Sequence, residues 1–341
     1  GSLLSVFADD LLLLVKDREL QQLQRTLDTE MKIKWGEKIG EKWSGYLGKE
    51  WRCRGGRFEV RVPEAYFEAL LKEAGLEDAR PTVSPCDMSA KKDVDSPMLG
   101  AAEHGTFRRW VGKLMYATQA RPDIAYATKE LARCVASPTE QDMVAMRYLL
   151  RYLRGTQYLV MQLGGSEDVA SASPGRTPGR AGDGQDEVVV IADANWAEGP
   201  TRRSTSGGVV VFQGTILLTY SRTQPVVALS TCEAELLAIS TAAQEGLFVK
   251  SMLQEAGVQA TLRVRTDSSS AKAVAMRRGL GRMKHLDVRY LWLQDAFRSE
   301  MFSLDSVSSE KNIADALTKK FAGPRHRYLT GLLGLRDKTD V

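Results

Sequence analysis

Cysteine is scarce in this sequence: Cys53, Cys86, Cys134 and Cys232 lie far apart and form no CxxC pair. That spacing argues against a zinc ribbon, a redox motif and a secreted disulfide framework, and points to a reducing compartment. Long apolar runs are absent too. None approaches the ~20 residues that a membrane-spanning helix needs, so no membrane partner is expected. The N-terminus lacks a basic n-region, a cleavage site and an initiator Met. Neither sign of charge dominates, since 47 Lys and Arg face 43 Asp and Glu for a formal +4. This mild excess permits an anionic partner without demanding one.

What is present is ordinary globular material. With 341 residues, 43% hydrophobic and 26% charged, the chain can bury real cores, and its length suggests two or three domains. Residues 3–7 and 11–15 read as strands and 20–31 as a helix. Strands follow at 45–51 and 58–62, then a helix with Pro63 in its first turn. Residues 81–105 read as a loop. From 107 to 163 apolar residues recur at helical spacing in three segments broken at Pro122 and Pro138. Residues 164–186 are Gly, Ser, Ala and Pro with scattered charge, the composition of a flexible tether. Beyond it, strands at 187–192, 207–212 and 215–220 run in hairpin succession. A long helix (233–257), a strand (262–266), helices (269–278 and 285–299), a strand (302–307) and a helix (312–321) complete the pattern, which suggests a mixed sheet with helices on its faces.

Four carboxylates in this last region sit where an apolar or structural residue would be expected. Asp193 ends the run 188–192, Asp267 ends the strand 262–266, and Asp315 lies in the first turn of the final helix. Glu235 opens a helix whose positions 236, 239, 243 and 247 face the sheet. A cluster of buried carboxylates is tolerable only around cations, because burial and mutual repulsion both oppose ionisation. Mg²⁺ prefers such oxygen ligands, and two ions ~3.5–4 Å apart activate water and stabilise the leaving oxygen in phosphodiester hydrolysis. Taken singly, each Asp is more often a turn residue or helix cap.

The strings Thr266-Asp267-Ser268, Ala234-Glu235-Leu236-Leu237-Ala238-Ile239 and Asn312-Ile313-Ala314-Asp315 resemble segments of the ribonuclease H domains of reverse transcriptases. More narrowly, Asp193-Ala194-Asn195-Trp196-Ala197, Arg203-Ser204-Thr205-Ser206-Gly207, Ser230-Thr231-Cys232-Glu233-Ala234-Glu235, Lys284-His285-Leu286-Asp287-Val288-Arg289-Tyr290 and Ala314-Asp315-Ala316-Leu317-Thr318-Lys319 are similar to copia-type LTR retrotransposon Pol polyproteins. Upstream, Val111-Gly112-Lys113-Leu114-Met115-Tyr116 and Arg121-Pro122-Asp123-Ile124-Ala125-Tyr126 resemble that family's connecting segment. Phe7-Ala8-Asp9-Asp10 resembles its Tyr-Val-Asp-Asp polymerase motif, with Phe7 and Ala8 departing from the usual pair.

The resemblance implies an α+β or α/β chain cut from a longer polyprotein. Its parts would be a reverse transcriptase palm remnant (1–80), a helical thumb/connection segment (81–163), a flexible linker (164–186), a ribonuclease H-like domain with a mixed sheet flanked by helices (187–322) and a C-terminal tail (323–341). The implied function is metal-dependent hydrolysis of the RNA strand of RNA–DNA hybrids. Asp193 would bridge two Mg²⁺ ions, Mn²⁺ being able to substitute, with Glu235 and Asp267 on one ion and Asp315 on the other. Glu233 competes with Glu235 for that place. Asp9 and Asp10 would be a polymerase-motif remnant, incomplete without an earlier strand, so polymerisation by this chain alone is not expected.

Hydroxyl and basic side chains beside the metals would contact the hybrid backbone. Ser230, Thr231, Ser268, Arg202 and Arg203 are the candidates, each also readable as a cap or surface residue. Arg277, Arg278, Arg282, Lys284 and Arg289 could track phosphates or form a solvated face. Relatives carry a His in the loop before the last Asp; here residues 307–311 hold none, and Glu310 is the candidate substitute. His104 and His326 are expected at the surface and His285 in packing or capping. The partners implied are the hybrid and the rest of the Pol polyprotein, in a cytoplasmic particle with later nuclear entry of the DNA product. The competing reading is a non-catalytic nucleic-acid-binding or subunit-packing remnant.

Overall fold

A computed structural model of the chain describes residues 2–90, 93, 95–164, 186–199, 201–279 and 291–337. All but the ends of the expected linker lies outside the described residues, as do Arg282, Lys284, His285 and Arg289. The first strands, β1 (Leu3–Phe7) and β2 (Asp10–Leu14), pair antiparallel with Ala8 and Asp9 as the turn. Ala8 takes φ 49°, in the left-handed region. Helix α1 (Asp17–Glu30) follows and has no buried residue.

The expected strand at 45–51 is instead a hairpin of β3 (Ser44–Tyr46) and β4 (Lys49–Arg54), because Gly48 takes a positive φ of 69° and turns the chain. β5 (Arg57–Arg61) pairs with β4, and α2 (Glu64–Ala74) begins after Pro63 at its N-cap. Helices α3 (Ala101–Ala117), α4 (Ala125–Arg133) and α5 (Glu140–Thr156) follow, with Pro122–Ile124 as a short 3-10 turn between the first two. Thr139 caps α5 in a reciprocal capping box with Asp142, which fixes its start two residues after Pro138.

Helical periodicity ends earlier than residue 163. Val160–Leu163 is strand β6, antiparallel to β5.

The central strand of the second half is β7 (Asp186–Asn195), whose run 188–192 has no polar alternation because both faces are covered. It pairs antiparallel with β8 (Thr205–Phe212), which pairs with β9 (Thr215–Thr223). After α6 (Thr231–Glu255), β10 (Ala260–Thr266) returns parallel to β7 on its other edge. Helices α7 (Ser269–Met276) and α8 (Leu291–Arg298) precede β11 (Ser303–Ser306), parallel to β10. The sheet order is therefore β11-β10-β7-β8-β9, the mixed sheet flanked by helices that the sequence pattern suggests.

Two expectations are corrected here. The helix expected over 312–321 is a single 3-10 segment, Ile313–Leu317, which starts where the side chain of Asn312 accepts from the Ala314 N–H. The expected tail is structured through residue 336: α9 (Gly323–Leu332) buries His326 and Leu329, and β12 (Leu335–Arg336) pairs with β6. The resulting sheet, β12-β6-β5-β4-β3, carries strands from both halves of the chain.

Strand parity divides the core. Val188, Val190 and Ala192 pack on α6, α7 and α8, while Val189 and Ile191 face a second cluster shared with α2–α5, Ile313, Leu317 and Leu329. Within that cluster Arg121 is fully buried and pairs bidentately with Asp123 at 2.9 and 2.7 Å, while Tyr152 Oη donates to Asp123 at 2.7 Å. His326 Nε2 lies 3.1 Å from Tyr152 Oη, so His326 is a buried bridge from α9 to α5 and not a surface residue. His104 is also engaged, its Nε2 lying 2.8 Å from the Val135 carbonyl. No helix among the described residues is long and apolar enough to cross a membrane.

Candidate metal centre

β7 outruns its parallel neighbour: the β7–β10 ladder ends at Ala192–Thr266, and Asp193 is the next residue. Asp193 thus lies inside β7, not at its end as expected, and is 1% exposed. Directly across the β7–β8 ladder sits Gly207. A Cβ there would lie 2.6 Å from Thr318 Cγ2 and 2.9 Å from Leu317 Cβ, so only glycine lets the 313–317 segment settle beside Asp193.

Helix α6 supplies Glu235. Ser230 is its N-cap, accepting from the Glu233 N–H at 3.1 Å, while the Glu233 carboxylate accepts from the Leu229 N–H at 2.7 Å. Those bonds tie Glu233 to the helix start. The helix comes close to the sheet through Gly246, where a Cβ would lie 2.8 Å from Val190 Cγ2, while Leu247 packs half-buried against the same core cluster.

Asp267 follows β10, and its Oδ2 accepts from Ser309 Oγ at 2.8 Å. One carboxylate oxygen from each of Asp193, Glu235 and Asp267 lies within 4.8 Å of the other two. Asp315 is not a member of this trio. It is buried at 7% exposure and adjoins Asp193 through Lys319, whose Nζ lies 2.8 Å from Asp315 Oδ1 and 3.1 Å from Asp193 Oδ2.

The electrostatics follow from this division. Burial, and then the charges of Asp193 and Asp267, push the Glu235 carboxyl up to about 9. Burial also raises Asp193, to about 6, against the opposing pull of Lys319. Burial penalises the Lys319 ammonium, yet Asp193 and Asp315 outweigh it and hold Lys319 above the ordinary lysine range. Glu235 Oε2 is buried with no hydrogen-bond partner. An orphaned buried carboxylate oxygen beside two more carboxylates is a donor set fit for a hard divalent cation.

The other candidates are placed as follows. Ser268 is the N-cap of α7, accepting from the Ala271 N–H at 3.3 Å, and Thr231 is exposed at the first residue of α6. Arg202 and Arg203 are exposed in the loop between β7 and β8, Arg202 at φ 55°. Asp9 and Asp10 are exposed on the β1–β2 hairpin and belong to no cluster of three metal-ligand residues among the described residues. Glu310 is exposed, and its carbonyl accepts from Arg325 at 3.0 Å. Sequence reasoning missed Thr318, whose hydroxyl donates to Asp193, and Asn195, whose amide donates to the Thr318 carbonyl at 3.0 Å. It also missed Asn312, which donates to Asp193 at 3.4 Å, and Lys319. All four lie inside strings that resemble the family, which was the available signal.

A mixed sheet of this order with carboxylates from its central strand, the following helix and the end of the adjacent strand brought together is the arrangement of a ribonuclease H-type domain. No family model matches the chain. It is 29% identical over 335 residues to the retrovirus-related Pol polyprotein from transposon TNT 1-94 of Nicotiana tabacum, a match covering 96% of this chain and 24% of that protein. It is 25% identical over 343 aligned positions to the corresponding polyprotein from transposon RE1 of Arabidopsis thaliana, covering 97% and 21%. Among solved structures, an RNase H1 isolated from compost covers 39% of this chain and 92% of its own, at 18% identity and TM-score 0.32. A foamy viral protease-reverse transcriptase in complex with dsDNA covers 90% and 55%, at 11% identity and TM-score 0.47. Both scores are below 0.5, so the sheet topology, not these overlays, carries the fold. The chain's homologues are thus retrovirus-related Pol polyproteins from plant transposons, and it spans about a quarter or less of the length of those relatives.

Proposed function

We propose that this chain is the ribonuclease H part of a copia-type retrotransposon reverse transcriptase and hydrolyses the RNA strand of RNA–DNA hybrids with Mg²⁺, or Mn²⁺ in its place. The observation that carries this reading is the trio Asp193, Glu235 and Asp267, each on a different element, with Glu235 Oε2 buried and unpartnered. These three residues would hold a divalent ion, with Asp315 the candidate for completing a second position beside Asp193. Bound there, the metal supplies water activation and charge stabilisation at the scissile phosphate.

The protein's own task is then positional. Thr318 and Asn312 fix the Asp193 carboxylate, and Ser309 fixes that of Asp267. Ser230, Thr231, Ser268, Arg202 and Arg203 are proposed contacts to the sugar–phosphate backbones, the two serines from helix N-termini that also favour anions. Asp9 and Asp10 are assigned no catalytic role in this chain, and the rest of the Pol polyprotein is its proposed partner.

The test is cleavage of a labelled RNA–DNA hybrid beside single-stranded and double-stranded RNA, with wild type and Asp193→Asn. Cutting restricted to the hybrid and lost in the variant supports the reading. A hybrid that is bound but never cut with either metal refutes it in favour of a non-catalytic binding remnant.

A further inference from the structure

The acidic site is divided in two, and only one part has a cation supplied by the protein. Glu235 and Asp267 have no lysine or arginine ion pair among the described residues, whereas Lys319 Nζ sits between Asp193 (3.1 Å) and Asp315 (2.8 Å). Its position follows from the local fold. The Lys319 N–H donates to the Asp315 carbonyl at 3.0 Å, a helix-like turn that puts residues four apart on one side. The side chain is 39% exposed although Asp193 is only 1% exposed. Lysine's flexible stem can therefore carry the charge out to solvent without unpacking the core. Asp315 also has a second cation in reach, Arg325 at 3.8 Å from Oδ2, which can hold it while Lys319 is away.

We propose that the Lys319 ammonium is a tethered cation competing with a divalent ion for the Asp193–Asp315 pair. Without nucleic acid the protein then takes one divalent ion tightly, at Asp193, Glu235 and Asp267. A second enters only when Lys319 swings out, for which the phosphates of a bound strand offer the alternative anionic partner. The inference rests on the reading that these carboxylates bind divalent metal, but it is tested without reference to cleavage.

The experiment is a Mn²⁺ titration followed by electron paramagnetic resonance, with wild type, Lys319→Met, Lys319→Gln and Lys319→Arg, none with nucleic acid. Thermal melts with and without Mn²⁺ run alongside. Wild type and Lys319→Arg are expected to bind one ion. The neutral variants are expected to bind a second at least about tenfold more tightly, the scale set by one charge at contact distance. They should also show a larger Mn²⁺-induced rise in melting temperature, because a ligand that binds only the folded state stabilises it. One ion in every protein, or two at unchanged affinity, overturns the tethered-cation role alone. No ion in any of them overturns it together with the metal-binding reading. Two neutral variants of different shape guard against a folding defect in one.

Discussion

Glu235 makes the stability of this protein fall with rising pH when divalent metal is withheld. Burial and the neighbouring Asp193 and Asp267 charges raise its carboxyl to about 9 in the folded state, whereas in the unfolded chain it ionises in the ordinary glutamate range. Between those limits the folded protein holds a proton that the unfolded chain has released. The stabilisation is therefore full below the unfolded value and is lost as pH climbs through the folded one. From about pH 6 to about pH 8.5 the loss amounts to about 3 kcal/mol if the whole shift is realised, and about 1.5 kcal/mol once partial exposure is discounted. The assay is urea unfolding at both pH values in EDTA, for wild type and Glu235→Gln. Wild type should lose that much between the two conditions and the variant little, Asp193, near 6, contributing its smaller share to both. Added Mg²⁺ at the higher pH should restore wild type and leave the variant unchanged. Parallel pH slopes in the two proteins, or equal rescue by Mg²⁺, would refute the reasoning.

Three further outcomes follow from particular contacts. Thr318→Val removes the hydroxyl that holds Asp193 and should weaken Mn²⁺ affinity about 10–100-fold with little change in melting temperature, as read by calorimetric titration. Gly207→Ala forces a Cβ into Thr318 and Leu317; it should cost about 1–3 kcal/mol in urea unfolding and lower metal affinity as well. Asp123→Ala leaves the fully buried Arg121 guanidinium without its carboxylate and should destabilise the protein by about 3–5 kcal/mol.

Much of the second half is legible in sequence because its signals are local. An apolar run without alternation reads as a strand covered on both faces, and successive strands separated by helices read as a mixed sheet. The carboxylates stand out because they interrupt those patterns. Three of them do meet, and Glu233 separates from Glu235 through the cap at Ser230, which is a matter of hydrogen bonds rather than of helical spacing. Asp315 was harder to place, since its turn is 3-10 and set by the Asn312 side chain, and its carboxylate answers to Lys319. Non-local pairings left no trace. β6 is too short to show a period of its own, and β12 is defined only by the strand it joins. The same holds for His326, whose burial depends on Tyr152 far away in sequence. A lone polar residue carries no mark of whether its partner exists.

The central claim is that Asp193, Glu235 and Asp267 hold a divalent ion in a working nuclease centre. Anomalous diffraction from crystals of the chain grown with Mn²⁺ and an RNA–DNA hybrid tests it most directly. The account predicts a manganese peak at about 2.0–2.2 Å from a carboxylate oxygen of each of the three residues, as expected for a small hard cation with oxygen ligands. A hybrid seated elsewhere on the molecule, with no peak among these carboxylates, would contradict it.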